Sequence, residues 1–514
     1  MSVTRSDAIE TPHPTDTALR RRTAATLLPG FVGTTLPGWL EERLRNGLGG
    51  VCLFGQNVES VEQLRALTDA IYAANPDAIV AIDEEGGDVT RLYYESGSPF
   101  PGNAVLGRLG DAAYTEAVAR RVGEELHAVG VNLDLAPDVD INSNADNPVI
   151  GVRSFGSAPE VVAEQGAAWT RGLQSAGVAV CAKHFPGHGD TAADSHLELP
   201  VVDVTLDQLR ERELEPFRAV IAAGARTVMT SHILLPRIDP DLPATFSRTV
   251  VEGLLRGELG FGGVVVTDAL DMHGASGERG IPEAAVLALA AGCDLLCIGT
   301  ENTDAQLAEI EDAVVAAVAE GRVAVSRIEE AAGRVLALAA DVPADGAAPH
   351  QGEGGGALDP ADVRRAIDAF DISGHAAAWL RAHHGRYSVV RIDTVANIAI
   401  GEAPWGPFAE AAAGPDGASA FAANPLVVFT EGDHPELVLA AQSPVLVVGK
   451  DNHRHAFARA AIDRLRAERD SVLVVDMGWP GDDRQYADIA TFGASRLVGR
   501  ALIELLDGEP GSTP

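Results

Sequence analysis

The chain has 514 residues, longer than a single hydrophobic core usually grows, so we expect two domains. Lysine and arginine total 39 against 74 aspartate and glutamate residues, and the net charge of −35 argues against nucleic acid and anionic membrane surfaces as partners. No apolar run approaches the ~20 residues of a membrane span, and residues 24–28 are too short for the apolar part of a signal peptide. We therefore expect a soluble, cytoplasmic enzyme.

Residues 24–340 alternate short apolar runs with amphipathic, helix-like stretches, after an N-terminal extension of residues 1–23. This alternation is typical of βα units and predicts an α/β fold. Eight runs predict a (β/α)8 TIM barrel: 25–28, 50–54, 78–82, 131–136, 178–182, 227–230, 263–267 and 293–298.

Capping-box patterns mark the starts of helices in this region. They place N-caps at Ser60, Thr205, Thr303 and Ser326. After the first cap, four apolar side chains are spaced to share one helical face: Val61, Leu64, Leu67 and Ile71.

A second domain follows a Gly- and Pro-rich stretch that is unable to form a core. We assign residues 341–360 to a linker and 361–514 to a C-terminal α/β sandwich. Its strand-like runs are 425–430, 444–449 and 471–476, with helices at 455–466 and 494–506. For the polar cluster 449–454 we consider a contact to substrate and favour a solvated loop at a strand end, and no catalytic residue is assigned to this domain.

The segment from Lys183 to His196 concentrates charge and imidazole directly after the fifth apolar run. The run would present Lys183 and His184 at a strand end. Glycines let the following loop bend, and Asp194 and His196 form an Asp-x-His pair in which a carboxylate can orient an imidazole. This combination predicts an active-site loop.

Three further charged residues follow apolar runs or lie in the loops after them, at the end of the barrel where active sites form. Asp83 follows the third run, Arg153 lies downstream of the fourth, and Asp268 follows the seventh. A carboxylate at Asp268, a proton donor at His196 and several polar side chains predict hydrolysis of a hydroxyl-rich substrate, and glycoside cleavage fits best.

Five motifs together resemble the β-N-acetylhexosaminidases of glycoside hydrolase family 3, in their two-domain form. They are Asp-Glu-Glu-Gly-Gly at 83–87, Asn-Pro-Val-Ile-Gly-Val-Arg-Ser-Phe at 147–155, Lys-His-Phe-Pro-Gly-His-Gly at 183–189, Asp-Ser-His at 194–196 and Thr-Asp-Ala-Leu-Asp-Met at 267–272. The resemblance covers residues from about 24 to 340, and the later domain resembles the sandwich of two-domain members.

The resemblance implies a retaining mechanism with Asp268 as nucleophile, His196 as general acid/base and Asp194 as its partner. It also implies that Asp83, Arg153, Lys183 and His184 bind N-acetylglucosamine, with Met229 and His232 lining the same pocket. Asp138 and Asp271 are expected to support loops, and His188 is interpreted as structural. We expect no cofactor and no metal; the implied substrate is a terminal β-linked N-acetylglucosamine of peptidoglycan fragments.

Alternatives remain open at this point. A family 3 β-glucosidase ordinarily takes its acid/base glutamate from outside the barrel, and the Asp194-Ser195-His196 triplet argues against it. Phosphorolysis is compatible with a histidine acid/base, since imidazole does not repel phosphate as a carboxylate does. A non-catalytic sensor of wall fragments would keep the sugar-binding groups without the chemistry. The sequence does not indicate an oligomeric state.

Overall fold

The computed structural model describes residues 14–191, 199–343, 356–383, 385–394, 397–412, 421–432 and 443–508. In the first part of the chain strands and helices alternate. The strands are β1 (Leu27–Pro29), β2 (Gly50–Leu53), β3 (Ile79–Ile82), β4 (Leu133–Asp134), β5 (Ala179–Phe185), β6 (Thr227–Thr230), β7 (Val264–Val266) and β8 (Leu296–Gly299). The helices are α1 (Pro14–Ala24), α2 (Gly38–Arg45), α3 (Val61–Ala74), α4 (Asn103–Leu109), α5 (Ala112–Ala128), α6 (Pro159–Ser175), α7 (Leu206–Glu211), α8 (Leu214–Ala222), α9 (His273–Ser276), α10 (Gly280–Ala291), α11 (Asp304–Ala319) and α12 (Val325–Asp341), with a π-helical segment at Thr249–Glu258.

These strands close into a parallel barrel. The order β2-β3-β4-β5-β6-β7 is continuous, a bridge between Val266 and Leu295 joins β7 to the start of β8, and β8 pairs with β1. β1 in turn packs beside β2. The predicted TIM barrel is confirmed, although most strands are shorter than the apolar runs that predicted them.

Alternating strand residues fill the barrel, as the period of two along a strand requires. The inward set is small and apolar and includes Leu28, Cys52, Ala81, Cys181 and Val266. Helices cover the outside through a larger apolar layer. A packed interior leaves the carboxyl ends of the strands as the place where polar side chains can meet a ligand.

The second domain is built on a mixed sheet of β9 (Asp371–Ile372), β10 (Ser388–Asp393), β11 (Leu426–Thr430), β12 (Val445–Gly449), β13 (Val472–Asp476) and β14 (Ile489–Ala490). The strand order is β11-β10-β12-β13-β14-β9, parallel except for the β14–β9 pair. Its helices are α13 (Pro360–Asp368), α14 (Gly374–Ala382), α15 (Gly406–Ala412), α16 (Ala456–Glu468) and α17 (Arg496–Asp507). Residues 344–355 of the predicted linker lie outside the described residues.

The two domains pack tightly against each other. Val105 of α4 belongs to the apolar core of the second domain, and Tyr114 Oη donates to Asp362 Oδ1 over 2.7 Å. Asp88 Oδ1 accepts from the Ala494 backbone N–H over 2.7 Å. The second domain is therefore positioned firmly over the carboxyl end of the barrel.

The solvated loop predicted at residues 449–454 is wrong. Asn452 is fully buried, and Asp476 accepts hydrogen bonds from the backbone N–H groups of Asp451 (2.8 Å) and Asn452 (2.9 Å). His453 Nε2 lies 3.5 Å from Asp146 of the barrel. The polar composition predicted exposure to solvent, but Asn452 is buried inside the domain and His453 lies at its contact with the barrel.

Three of the four predicted helix caps are confirmed, since Ser60, Thr205 and Thr303 each accept from a backbone N–H three residues later. Ser326 is wrong as a cap, because α12 is capped at Ala324 after the buried Val323. Val61 is 53% exposed at the first position of α3, whereas the other three side chains of its predicted face are buried.

α1 packs on α11 and α12, and Arg20 pairs with Asp312 of α11, so the predicted domain boundary at residue 24 falls at the end of a helix that belongs to the barrel. Within the described ranges, no helix combines the length and apolarity needed to cross a bilayer.

Candidate active site

A cavity of about 400 Å³ opens at the carboxyl ends of the barrel strands. This volume lies in the range of small-molecule sites. It is lined by six of the residues singled out from the sequence: Asp83, Arg153, Lys183, His184, Met229 and Asp268. The order of the strands brings them together, because each follows or ends a strand of one closed barrel.

A network of buried ion pairs forms one side of this cavity. Lys183 Nζ lies 2.6 Å from Asp83 Oδ1 and 2.7 Å from Glu85 Oε1. Arg153 binds Glu85 with both ends of its guanidinium group, Nη2 to Oε1 at 2.8 Å and Nε to Oε2 at 3.0 Å. Arg153 Nη2 is also 3.5 Å from Asp138 Oδ2. Two cations are thus held among three carboxylates.

The pKa values of Glu85 and Lys183 are shifted in the directions that favour their charged forms. Burial raises the pKa of Glu85, but Arg153 and Lys183 outweigh it and bring the pKa well below its ordinary value. Burial lowers the pKa of Lys183, but Asp83 and Glu85 outweigh it and raise the pKa above normal. Glu85 and Lys183 therefore offer fixed charges to a polar ligand.

Asp140 fixes the position of His184. Its Oδ2 lies 2.6 Å from His184 Nδ1, and it also accepts from the backbone N–H of His184. The backbone N–H of His188 donates to Asp140 Oδ1 over 2.6 Å. Burial raises the pKa of Asp140, yet His184 and these hydrogen bonds bring it below normal. The ionised carboxylate places the imidazole proton on Nδ1 and directs the ring toward the cavity.

Asp138, Asp140 and His184 have oxygen and nitrogen atoms within 4.8 Å of one another, as a metal site would require. Arg153, 3.5 Å from Asp138, places a positive charge where a cation would bind. Burial and the neighbouring Asp140 raise the pKa of Asp138. We attribute these three side chains to the hydrogen-bond network of the pocket.

Asp268 lies on the opposite side of the barrel rim from Asp83. Asp83 follows β3 and Asp268 follows β7, four strands further around an eight-stranded barrel. Asp268 Oδ1 accepts from the Ala269 backbone N–H over 2.8 Å, and the side chain lines the cavity. A carboxylate therefore faces the polar network across the width of the pocket.

The structure does not place His232 among the residues that line the pocket, and its side chain is fully buried. Its Nε2 lies 3.1 Å from the Ala269 carbonyl oxygen and its Nδ1 2.9 Å from Thr245 Oγ1. It supports the backbone directly after Asp268. Met229, on β6, does line the pocket.

The predicted acid/base pair, Asp194 and His196, lies outside the described residues. The loop that carries the pair leaves the described chain at Thr191. Just before that point, Asn147 Nδ2 donates to the carbonyl oxygens of His188 and Gly189, each over 3.0 Å. His188 itself lines the cavity, and burial brings its pKa down to about 4.

Sequence reasoning missed Glu85 and Asp140 as members of the site. Each lies two residues after an acidic residue that drew attention, Asp83 and Asp138. In extended backbone, residues two apart point to the same side, and this spacing is the signal that would have found them. Asp271, expected to support a loop, accepts from the Thr300 backbone N–H over 3.3 Å and also lines the cavity.

Comparison with known proteins shows the family to which the chain belongs. The family described as "Glycosyl hydrolase family 3 N terminal domain" matches residues 40–338. A beta-hexosaminidase A of Pseudoalteromonas piscicida is 41% identical over 285 residues, 51% of this chain, and the match spans 48% of that relative's length. A beta-hexosaminidase of Alkalilimnicola ehrlichii is 41% identical over 298 residues, 56% of this chain and 84% of its own.

The similarity to a solved structure extends over both domains. The glycoside hydrolase family 3 beta-N-acetylglucosaminidase from Paenibacillus sp. str. FPU-7 superposes with a TM-score of 0.83 and 32% identity, covering 95% of this chain and 96% of that one. The resemblance read from the five motifs is thereby confirmed. The chain belongs to glycoside hydrolase family 3 and, within that family, to the β-hexosaminidases.

Proposed function

We propose that this protein is a retaining β-N-acetylhexosaminidase that removes terminal β-linked N-acetylglucosamine. Asp268 is the nucleophile, His196 the general acid/base and Asp194 the partner that orients His196. Asp83, Arg153, Lys183 and His184 bind the sugar hydroxyls, and Met229 lines the pocket beside them. The observation that carries the proposal is Asp268, a carboxylate facing a charged network across a sugar-sized cavity.

The proposed reaction has two steps. Asp268 attacks the anomeric carbon while His196 gives a proton to the departing oxygen, and a glycosyl-enzyme ester forms. His196 then takes a proton from water, whose oxygen attacks the same carbon and releases Asp268. Two displacements at one carbon return the original configuration. The network of ion pairs holds the sugar ring with its anomeric carbon beside Asp268 during both steps.

The names of the relatives support the substrate class. Those named above are a beta-N-acetylglucosaminidase and two beta-hexosaminidases. We propose peptidoglycan fragments as the source of the sugar and the cytoplasm as the place of cleavage, as the sequence suggested.

The decisive assay compares two chromogenic substrates, 4-nitrophenyl β-N-acetylglucosaminide and the matching β-glucoside, with and without inorganic phosphate. We expect kcat/KM for the acetamido sugar to exceed that for the glucoside by about a hundredfold or more, because the glucoside has a hydroxyl in place of the acetamido group and loses the contacts that the pocket makes with that group. Free N-acetylglucosamine should be the product in both buffers.

Each alternative has its own outcome in this assay. Equal rates on the two sugars would overturn the hexosaminidase assignment in favour of a β-glucosidase. A sugar phosphate appearing only with phosphate would make the protein a phosphorylase. Binding of N-acetylglucosamine without any turnover would indicate a sensor.

A further inference from the structure

A short turn of the second domain reaches the cavity of the barrel. We define the domain-2 turn as residues 397–401, between β10 and α15. Two of its residues, Ile398 and Ala399, line the same cavity as Asp83 and Asp268. The Ile398 side chain is 51% exposed. It is therefore available to contact a ligand.

The domain-2 turn is closed by its own hydrogen bonds. The Asn397 side-chain oxygen accepts from the Ala399 backbone N–H over 2.9 Å, and the Asn397 carbonyl accepts from the N–H groups of Ile400 (3.0 Å) and Gly401 (2.9 Å). Gly401 has φ of +76°, and a Cβ there would meet Tyr94 Oη at 2.8 Å. The turn has a defined conformation that packs closely on the barrel.

Hydrogen bonds from two barrel loops hold the turn in place. Asn397 Nδ2 donates to the carbonyl oxygens of Pro148 (3.0 Å) and Val149 (2.9 Å). From the other side, Arg91 Nη2 donates to the Ala399 carbonyl over 2.7 Å and lies 3.9 Å from Asp83 Oδ2. The turn is thus fastened to the loop that carries Arg153 and to the loop that begins with Asp83.

These anchors place the domain-2 turn on one side of the pocket. Arg91 lies in the loop after β3, and Pro148 and Val149 lie in the loop after β4. Asp268 follows β7, on the opposite side of the barrel. The pocket therefore extends from the proposed nucleophile to the turn.

A six-membered sugar ring has C1 and C4 at opposite ends. With C1 at Asp268, as the proposed function requires, C4 points toward Asp83 and the domain-2 turn. We propose that this turn is the wall that ends the pocket beyond C4, and that Ile398 selects sugars whose C4 hydroxyl carries no substituent. The second domain would then determine which chain ends are accepted, although the catalytic groups lie on the barrel.

The test compares 4-nitrophenyl β-N-acetylglucosaminide with its 4-O-methyl ether in the full-length protein and in Ile398→Ala. The ether loses a hydrogen-bond donor to Asp83 in both proteins, so the change in the kcat/KM ratio from the wild type to Ile398→Ala isolates the space near Ile398. One added methyl group in a closed apolar contact changes kcat/KM by about tenfold or more. We expect Ile398→Ala to reduce the preference for the unsubstituted sugar by about that factor.

Leu426→Ala is the matched control, because Leu426 is equally exposed at 51% but lies on β11, away from the cavity lining. It should leave the preference unchanged. The proposed wall is contradicted if the wild type hydrolyses both substrates equally. It is also contradicted if Ile398→Ala keeps the wild-type ratio of the two kcat/KM values. If the wild type hydrolyses neither, the proposed function fails instead. In that case the affinities for N-acetylglucosamine and its 4-O-methyl ether, measured by calorimetry, test the proposed wall without turnover. Equal affinities in the wild type would contradict the proposal.

Discussion

Two buried clusters of carboxylates and cations lie at opposite ends of the barrel. At the amino ends of the strands, Asp294 just before β8 accepts from Arg256, Arg327 and Arg334 and from the Val265 backbone N–H. At the carboxyl ends, Glu85 is shared by Arg153 and Lys183. Asp294 is fully enclosed, whereas the carboxyl-end cluster borders the cavity.

The comparison shows that ionic chemistry alone does not indicate a binding site. Three guanidinium groups around Asp294 satisfy one carboxylate and stabilise the fold. At the other end, the Asp83 side chain keeps 19% exposure beside Lys183, so part of its polar surface is available to a ligand. A buried charge cluster becomes a site only where the fold leaves a cavity beside it.

The largest expected effect comes from changing Asp268, which belongs to neither of the two charge clusters. Asp268→Asn should lower kcat about 10⁴-fold or more, because the covalent step loses its nucleophile. Thermal unfolding should be nearly unchanged, since Asp268 lies at the rim of the cavity. Added azide should restore turnover with the product configuration inverted. Activity within tenfold of wild type would remove Asp268 from the mechanism.

A matched pair of variants tests the two clusters directly. Glu85→Gln leaves Arg153 and Lys183 short of a carboxylate, and we expect unfolding to become easier by about 3 kcal/mol. It should also lower kcat/KM by about a hundredfold through the misplaced sugar-binding groups. Asp294→Asn should destabilise by a similar amount while the folded protein keeps its KM. The readouts are denaturant unfolding and steady-state kinetics.

The distinction between a stabilising cluster at Asp294 and a binding-site cluster at Glu85 fails if Asp294→Asn raises KM as much as Glu85→Gln does. It also fails if Glu85→Gln changes stability alone. Both assays are run at a temperature where each variant is fully folded, so that loss of folded protein is not counted as loss of activity.

The smallest effect concerns pH. Burial brings the pKa of His188 from 6.5 to about 4, so the folded protein binds fewer protons than the unfolded chain between these values. Stability from this group is fully present above pH 6.5 and is lost as the pH falls toward 4, by up to about 3 kcal/mol. His188→Asn should flatten that part of the stability curve. Parallel curves for the two proteins would show that His188 does not titrate in this range.

The sequence predicted the barrel well because strand and helix patterns are local. The apolar run 78–82, for example, contains β3, and the residue after it, Asp83, reaches the cavity. Predictions that depended on the surroundings were less successful. His232 was expected in the pocket but is buried and is not part of its lining, and Asn452 was expected in solvent and is buried.

The sequence by itself determined the alternation of strands and helices and the residues that follow the strands. These depend on periodicity along the chain, which is readable one segment at a time. Only the tertiary structure decided that Glu85 joins Arg153, 68 residues away, and that Asn397 binds the Val149 carbonyl, 248 residues away. Such contacts form when the barrel closes and the second domain packs over it. The local sequence pattern does not show which distant residues this folding brings together.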